Sequence, residues 1–360
     1  MASRRQVIIG LGGALVAGAA AGTWRVLRQP EAAIAPWTGL DQTVADPRLD
    51  AFRHAILAPN PHNRQPWLVD LREPNTITLR VDLERTLPMT DPWFRQIVIS
   101  QGTFIEALVL ALKARGLDPQ VALFPEGALG ARTLDARPVA RVFWTPGAAA
   151  PAHDPLFDQL RLRHTAKVPY DTARPVAADT LAQLATVLHD PDVRHGATVD
   201  AGQVAALREL CWQSAQVELM TPRTVMESLR LTRVGPAEIA RHRDGISVNG
   251  WLPRLADAVG AFDRTNPPAE GSAAYRQMME RFESHSRSAM GFVWLSTPYA
   301  RDAATGTTRH AEVRAGRAYL RLQLKATELG LQVHPMSQAP QEFEEMKPHR
   351  DRLQQLLLTC

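Results

Sequence analysis

The stretch IVISQGTFIEALVLALKARGL, residues 97–117, predicts a strongly apolar helix from about Ile97 to Arg115 that Gly116 ends. A second stretch, AEVRAGRAYLRLQLKATELGL at 311–331, aligns with the first without gaps and predicts a helix over 313–329. The aligned identities are Gly102 with Gly316, Leu108 with Leu322, Leu110 with Leu324, Gly116 with Gly330 and Leu117 with Leu331. Leucine-rich helices also match by chance, so the repeat alone is weak support for a duplicated fold.

Hydrophobic patterning places shorter elements around these two helices. The first half predicts a short helix, two strands, the long helix and a further strand, at 50–57, 68–69, 77–81, 97–115 and 139–144. The second half predicts mainly helices, at 154–165, 178–188, 203–220 and 313–329. Residues 146–155, rich in Ala and Pro, are the predicted linker between the halves.

Composition excludes several classes of protein. The 360 residues are 45% hydrophobic and 22% charged, which suits about two packed domains and argues against global disorder. The formal charge is +4, but residues 1–35 hold four arginines and one glutamate, so the remainder carries only +1. A body so nearly neutral argues against nucleic acid as the principal partner. With only Cys211 and Cys360, the chain has no disulfide framework and no cysteine-based metal site, and its histidines lack metal-binding spacing.

The N-terminus, residues 1–36, resembles a twin-arginine (Tat) export signal followed by a proline-containing linker. Arg4 and Arg5 come just before an uncharged stretch that runs from Gln6 to Trp24. This resemblance implies export by the Tat machinery to the periplasm or to the outer face of the cytoplasmic membrane. The alternative is an uncleaved anchor in the membrane, although the glycine-rich stretch would be a short and weak span.

An irregular loop with amide side chains lies between the first helix and the first strand. Three prolines fall within PNPHNRQP, residues 59–66, and exclude a helix there. Asn63 and Gln65 carry amides that both donate and accept hydrogen bonds, which suits the edge of a pyrimidine-like ring. The alternative is a turn whose Asn and Gln side chains bond their own backbone.

A basic turn in the second half is the other candidate binding motif. Arg163, Thr165 and Lys167 fall within five residues, before Pro169. An arginine fork, a hydroxyl donor and a lysine charge together suit a dianionic phosphate. Lys167 is one of only four lysines in the chain, so its position is informative. The alternative is a solvated basic turn.

Together these two segments resemble the nitroreductase family of FMN proteins. Residues 60–67 are similar to its Ser-Ser-x-Asn-x-Gln-Pro-Trp loop, and residues 163–167 to its Arg-x-Ser/Thr-x-Lys/Arg phosphate motif. Residues 329–331, which lead to 335–337, resemble its flavin-contacting Gly-Leu-Gly turn and the strand that follows. The loop motif occurs only in the first half and the phosphate motif only in the second, as in the two-lobed, Acg-like branch of that family.

The resemblance implies an α+β, nitroreductase-like fold in which two tandem lobes form a pseudo-dimer. The lobes would span residues 48–146 and 154–360 and would share one flavin site. Residues 221–290 have no counterpart in simple nitroreductases and would form either a lid over the flavin or a packing insertion.

The same resemblance implies a cofactor site for FMN, with no catalytic residue and no metal ligand assigned. The implied contacts are Arg163, His164, Thr165 and Lys167 to the phosphate and ribityl chain, Asn60, Pro61, His62, Asn63 and Gln65 to the ring, and Pro335, Met336 and Ser337 near its N5 edge. Asn60 and Pro61 replace the two serines of the family, and Pro61 cannot donate a backbone hydrogen bond.

The implied activity is a two-electron reduction of nitro, quinone or similar small-molecule acceptors by a ping-pong flavin mechanism, with an unidentified electron donor. The alternative is a non-catalytic protein that binds or sequesters flavin. Export favours this alternative, because NAD(P)H, the usual donor, is scarce outside the cytoplasm.

Overall fold

The computed structural model describes residues 30–42, 44–260, 262–297 and 307–358. The twin-arginine motif and the uncharged stretch after it therefore lie outside the described residues. The linker expected up to residue 36 includes a helix, Glu31–Thr38, with Pro36 inside it.

The described chain mixes helices with small sheets, which confirms the α+β class. Its α-helices are α1 (Glu31–Thr38), α2 (Pro47–Ala55), α3 (Arg95–Ala114), α4 (Ala178–Ala182), α5 (Ala201–Met220), α6 (Pro222–Arg230), α7 (Gly235–His242), α8 (Trp251–Ala258), α9 (Ala273–Ser288), α10 (Thr307–Glu328) and α11 (Lys347–Leu358). Its strands are β1 (Trp67–Asp70), β2 (Thr76–Val81), β3 (Gln120–Leu123), β4 (Ala140–Phe143), β5 (Arg194–Thr198), β6 (Thr232–Val234), β7 (Ile246–Val248) and β8 (Phe292–Ser296).

Helix α3 and one antiparallel sheet build the core of the first half. The sheet has the order β1-β2-β4-β3, and the apolar side chains of β2 pack with those of α3 in one cluster. Asp91 fixes the start of α3, because its carboxylate accepts hydrogen bonds from Gln96 N at 3.1 Å and Ile97 N at 2.9 Å. Gly116 follows the end of the helix, and its φ of +74° lies in the left-handed region that favours glycine. The predicted helix at 97–115 is confirmed.

The two helices of the sequence repeat cross each other at their matching glycines. A methyl group placed on Gly102 would lie 2.9 Å from the Gly316 Cα, and one placed on Gly316 would lie 3.0 Å from the Gly102 Cα. Each methyl group would also collide with a backbone carbonyl one turn earlier on the other helix, that of Val313 or Ile99. The contact is therefore symmetric, and only glycine allows the two backbones to approach so closely.

The second half contains smaller sheets than the first. β5 pairs with β8 in antiparallel fashion, and β6 pairs with β7 in parallel fashion. The prediction of a helix at 154–165 is wrong, since the structure has only a 3-10 turn there, Pro155–Gln159. The helix predicted at 178–188 is divided into α4 and a 3-10 turn at Gln183–Val187, whereas α5 and α10 confirm the predicted helices at 203–220 and 313–329.

Among the described residues, α3 is the one helix long and apolar enough to cross a membrane. Since 83% of its apolar window is buried inside the protein, its composition reflects its place in the core.

Adding a methyl group at either crossing glycine tests whether this contact holds the halves together. We expect Gly102→Ala and Gly316→Ala each to lower the free energy of unfolding by roughly 1–3 kcal/mol, because a fixed backbone lies in the way of the new group. Gly202→Ala is the matched control: it places the same methyl group in the exposed first turn of α5, 3.3 Å from the Asp200 carboxylate. Urea denaturation measures all three variants, and equal stability of all of them would contradict the crossing.

Candidate functional site

A single large cavity, of about 2370 Å³, contains nearly all of the predicted site residues in its wall. The lining includes Asn60, Pro61, His62, Asn63, Arg163, His164, Thr165, Lys167, Pro335, Met336 and Ser337. Helices α5, α9 and α10 and strand β8 supply further wall residues. The volume exceeds the roughly 300–1,000 Å³ usual for a small-molecule pocket, so the cavity has room for a nucleotide-sized cofactor and a second molecule.

The loop after α2 is held in an unusual backbone conformation. His62, Asn63 and Gln65 have φ values of 48°, 50° and 51°, in the left-handed region that non-glycine residues rarely adopt. Asn60 Oδ1 accepts a hydrogen bond from Gln65 N at 2.8 Å and closes the loop. Backbone strain of this kind persists only where surrounding contacts enforce it, and it is concentrated at functional sites.

Gln65 is the predicted site residue that does not line the cavity. Its Nε2 donates to Arg243 O at 2.6 Å and to Asn63 Oδ1 at 3.3 Å. The alternative interpretation of this motif, a turn whose amide side chains bond their own backbone, therefore describes Asn60, whereas the Gln65 side chain bonds the distant backbone of Arg243. Gly245 N also donates to Asn63 O at 3.2 Å, so the turn at 243–245 is fastened to the loop.

Arg163 braces the two halves of the chain against each other. Its guanidinium is buried, and it donates to Gln323 Oε1 on α10 at 3.0 Å and to Leu57 O after α2 at 2.9 Å. Burial lowers the pKa of Arg163, and nearby Tyr319 opposes that shift. The buried Nε has no partner, whereas the other two nitrogens of the guanidinium bond protein groups and hold the turn in place.

Lys167 extends into the cavity without a counter-ion. Its side chain is solvent-exposed in the cavity wall, and no hydrogen bond or carboxylate partner of its ammonium group is present among the described residues. Partial desolvation in the concave wall, followed by the charge of Arg281, lowers the pKa of Lys167. An uncompensated cation in such a place is suited to an anionic ligand.

The charge of Lys167 acts on residues from both halves. The pKa of His62 falls to about 4, mainly through burial and next through the charges of Lys167 and Arg64. The pKa of His334 also falls to about 4, through burial, His285, Lys167 and Arg281 in that order. The Nδ1 atoms of His62 and His334 are buried and lack hydrogen-bond partners. The first loop, the basic turn and the segment before Pro335 thus face one space.

The segment after α10 is joined directly to the basic turn. Ala166 N donates to Val333 O at 3.1 Å, and the Tyr170 hydroxyl contacts the backbone of His334. These bonds place residues 335–337 in the wall beside Lys167.

Several wall residues were missed from the sequence, because they come from the insertion and from α10. Arg281 and His285 lie on α9, and Tyr319 lies on α10 with its hydroxyl buried and unpartnered. Burial raises the pKa of Tyr319 to about 12, so its proton remains on the oxygen. No motif marks these positions; only the packing of distant segments brings them together.

No protein-family model matches this chain, and a search of curated proteins finds no significant match.

A buried carboxyl in the wall predicts a measurable pH dependence of stability. Burial raises the pKa of Glu218 from 4.5 to about 7, partly opposed by a hydrogen bond from Gln341. The folded state binds the Glu218 proton more tightly than the unfolded chain does. The contribution of this proton to the free energy of unfolding is therefore complete below pH 4.5 and is lost as the pH rises through 7. Between pH 4.5 and 8 the wild-type protein should lose up to about 3 kcal/mol of its free energy of unfolding through this group, and Glu218→Gln should not show that loss.

Unfolding by urea at several pH values measures the effect, with Glu209→Gln on the same helix as the control. Parallel pH profiles for the wild-type protein and Glu218→Gln would contradict the assignment.

Proposed function

We propose that this chain is an FMN-binding protein of the nitroreductase type, with one flavin in the large cavity between its two halves. The observation that carries the proposal is the position of Lys167. This cation from the second half lines the same cavity as His62, from the loop of the first half, and acts on its charge state.

The residues of the wall fit this cofactor. Lys167 and Thr165 offer a cation and a hydroxyl for the phosphate, while Asn63 and the backbone of the strained loop offer polar groups to the ring. The buried Nδ1 atoms of His62 and His334 lack hydrogen-bond partners in the protein, and polar groups of the cofactor could supply them. Arg163 would contribute mainly by holding the turn, since two of its nitrogens bond the protein.

The symmetric crossing of α3 and α10 supports the two-lobed arrangement. The helices that match in sequence meet at the matching glycines, as the corresponding helices of a two-fold dimer would. The second half differs from the first in its sheets, which have two strands each.

As an enzyme, the protein would reduce nitro, quinone or similar acceptors. Bound FMN would supply the two-electron chemistry. Lys167 would stabilise negative charge beside the ring or the phosphate, and the enclosing wall would exclude water from the acceptor. His62 and His334 are neutral at pH 7 because of their low pKa, so each retains one N–H to donate.

Storage of flavin without turnover is the second candidate, and the insertion favours it. The turn at 243–245 is bonded to the strained loop through Gly245 and Gln65, and Asp244 forms an ion pair with Arg64 at 2.7 Å. Gly245 also lines the cavity, so these contacts hold part of its wall in place. Bleaching of the bound flavin by NADPH under anaerobic conditions would favour the reductase, and a flavin that stays oxidised with NADPH and with other donors would favour storage.

Replacing the free cation tests the proposed function. We expect Lys167→Gln to weaken FMN binding by about tenfold or more, because a charge-assisted contact to the phosphate is lost. Lys347→Gln is the control, since this exposed lysine pairs with Asp351 on α11, far along the chain from the site. Flavin fluorescence measures the affinity, and equal affinities of the wild-type protein and Lys167→Gln would contradict the phosphate site.

A further inference from the structure

Helix α9 belongs to the insertion, and one of its faces is fixed against the basic turn. Ser288 Oγ accepts a hydrogen bond from Tyr170 N at 3.0 Å. One turn earlier, the His285 ring lies beside the backbone of Lys167, and its centroid is 5.1 Å from that of the His334 ring. Because positions i, i+4 and i+7 share one face of a helix, Arg281 lies on this face as well.

Arg281 therefore extends towards Lys167 rather than away from it. Both residues line the cavity, and the charge of Arg281 reaches Lys167 as well as His285 and His334. Both side chains are solvent-exposed. Two neighbouring cations repel each other, and an anion bound between them relieves that repulsion.

The other arginines of α9 are already engaged. Arg276 donates to Gly271 O, and Arg287 forms ion pairs with Glu283 at 2.7 Å and Glu209 at 3.2 Å. The guanidinium of Arg281 has neither a hydrogen bond nor a carboxylate partner among the described residues. Arg281 thus differs from the other two arginines of α9, whose guanidinium groups have partners in the protein.

We propose that Arg281 and Lys167 together bind one phosphoryl group, so that the insertion supplies half of an anion site. A guanidinium offers two parallel donors to phosphate oxygens and an ammonium group offers a point charge, which is a combination suited to a dianion. This proposal rests on the proposed function only in taking the phosphoryl group to be that of FMN. A bound phosphoryl group would add a further contact between α9 and the turn at 163–167.

The test compares Arg281→Gln with Arg276→Gln, which removes the same charge from the same helix outside the cavity. Each protein is titrated with FMN and with riboflavin, which lacks the phosphate. We expect Arg281→Gln to lower the affinity for FMN by about tenfold, the order of one charge-assisted contact, and to leave the affinity for riboflavin within about twofold. Arg276→Gln should leave both affinities unchanged.

Inorganic phosphate provides a second probe that does not depend on flavin. We expect phosphate to raise the Tm of the wild-type protein and Arg276→Gln more than that of Arg281→Gln. If Arg281→Gln changes neither the FMN-to-riboflavin preference nor the response to phosphate, the inference is wrong while flavin binding stands. If no flavin binds the wild-type protein but phosphate still distinguishes the variants, the proposed function fails and the anion site remains.

Discussion

The close crossing of α3 and α10 is the contact on which the rest of the structure depends. Two helices can approach this closely only where neither backbone carries a side chain at the contact, and Gly102 and Gly316 provide that gap. Apolar residues of α10, including Leu320 and Leu324, then enter the same core as α3. Near the crossing, the buried Glu106 binds Arg317 at 2.7 Å and Arg321 at 3.0 Å, so its charge is compensated.

This crossing also determines where the cavity lies. Because α10 is fixed against α3, Gln323 stands where it can bind Arg163, and Arg163 in turn binds the backbone after α2. The basic turn is thereby held opposite the loop at 60–65, although the two segments belong to different halves. Lys167 is left without a counter-ion at the meeting point, and that arrangement makes the wall suitable for an anion.

Strong local patterns were predictable from the sequence, whereas contacts between distant segments were not. The periodicity and terminal glycine of α3 specified that helix, and the same pattern specified α10. At 154–165 the pattern was misleading: the chain forms a 3-10 turn and then places Arg163 where it bonds groups of both halves, contacts that no local pattern encodes. Gln65 looked like a ligand contact but binds the backbone of Arg243. Arg281 carries no motif, and only the packing of α9 shows its position.

We propose that the two halves of one chain enclose a single flavin. Titration of the full chain with FMN, followed by flavin absorbance and by the mass of the complex, measures the number of sites directly. We expect one FMN per chain. Two flavins per chain, one flavin shared by two chains, or no binding at all would contradict it.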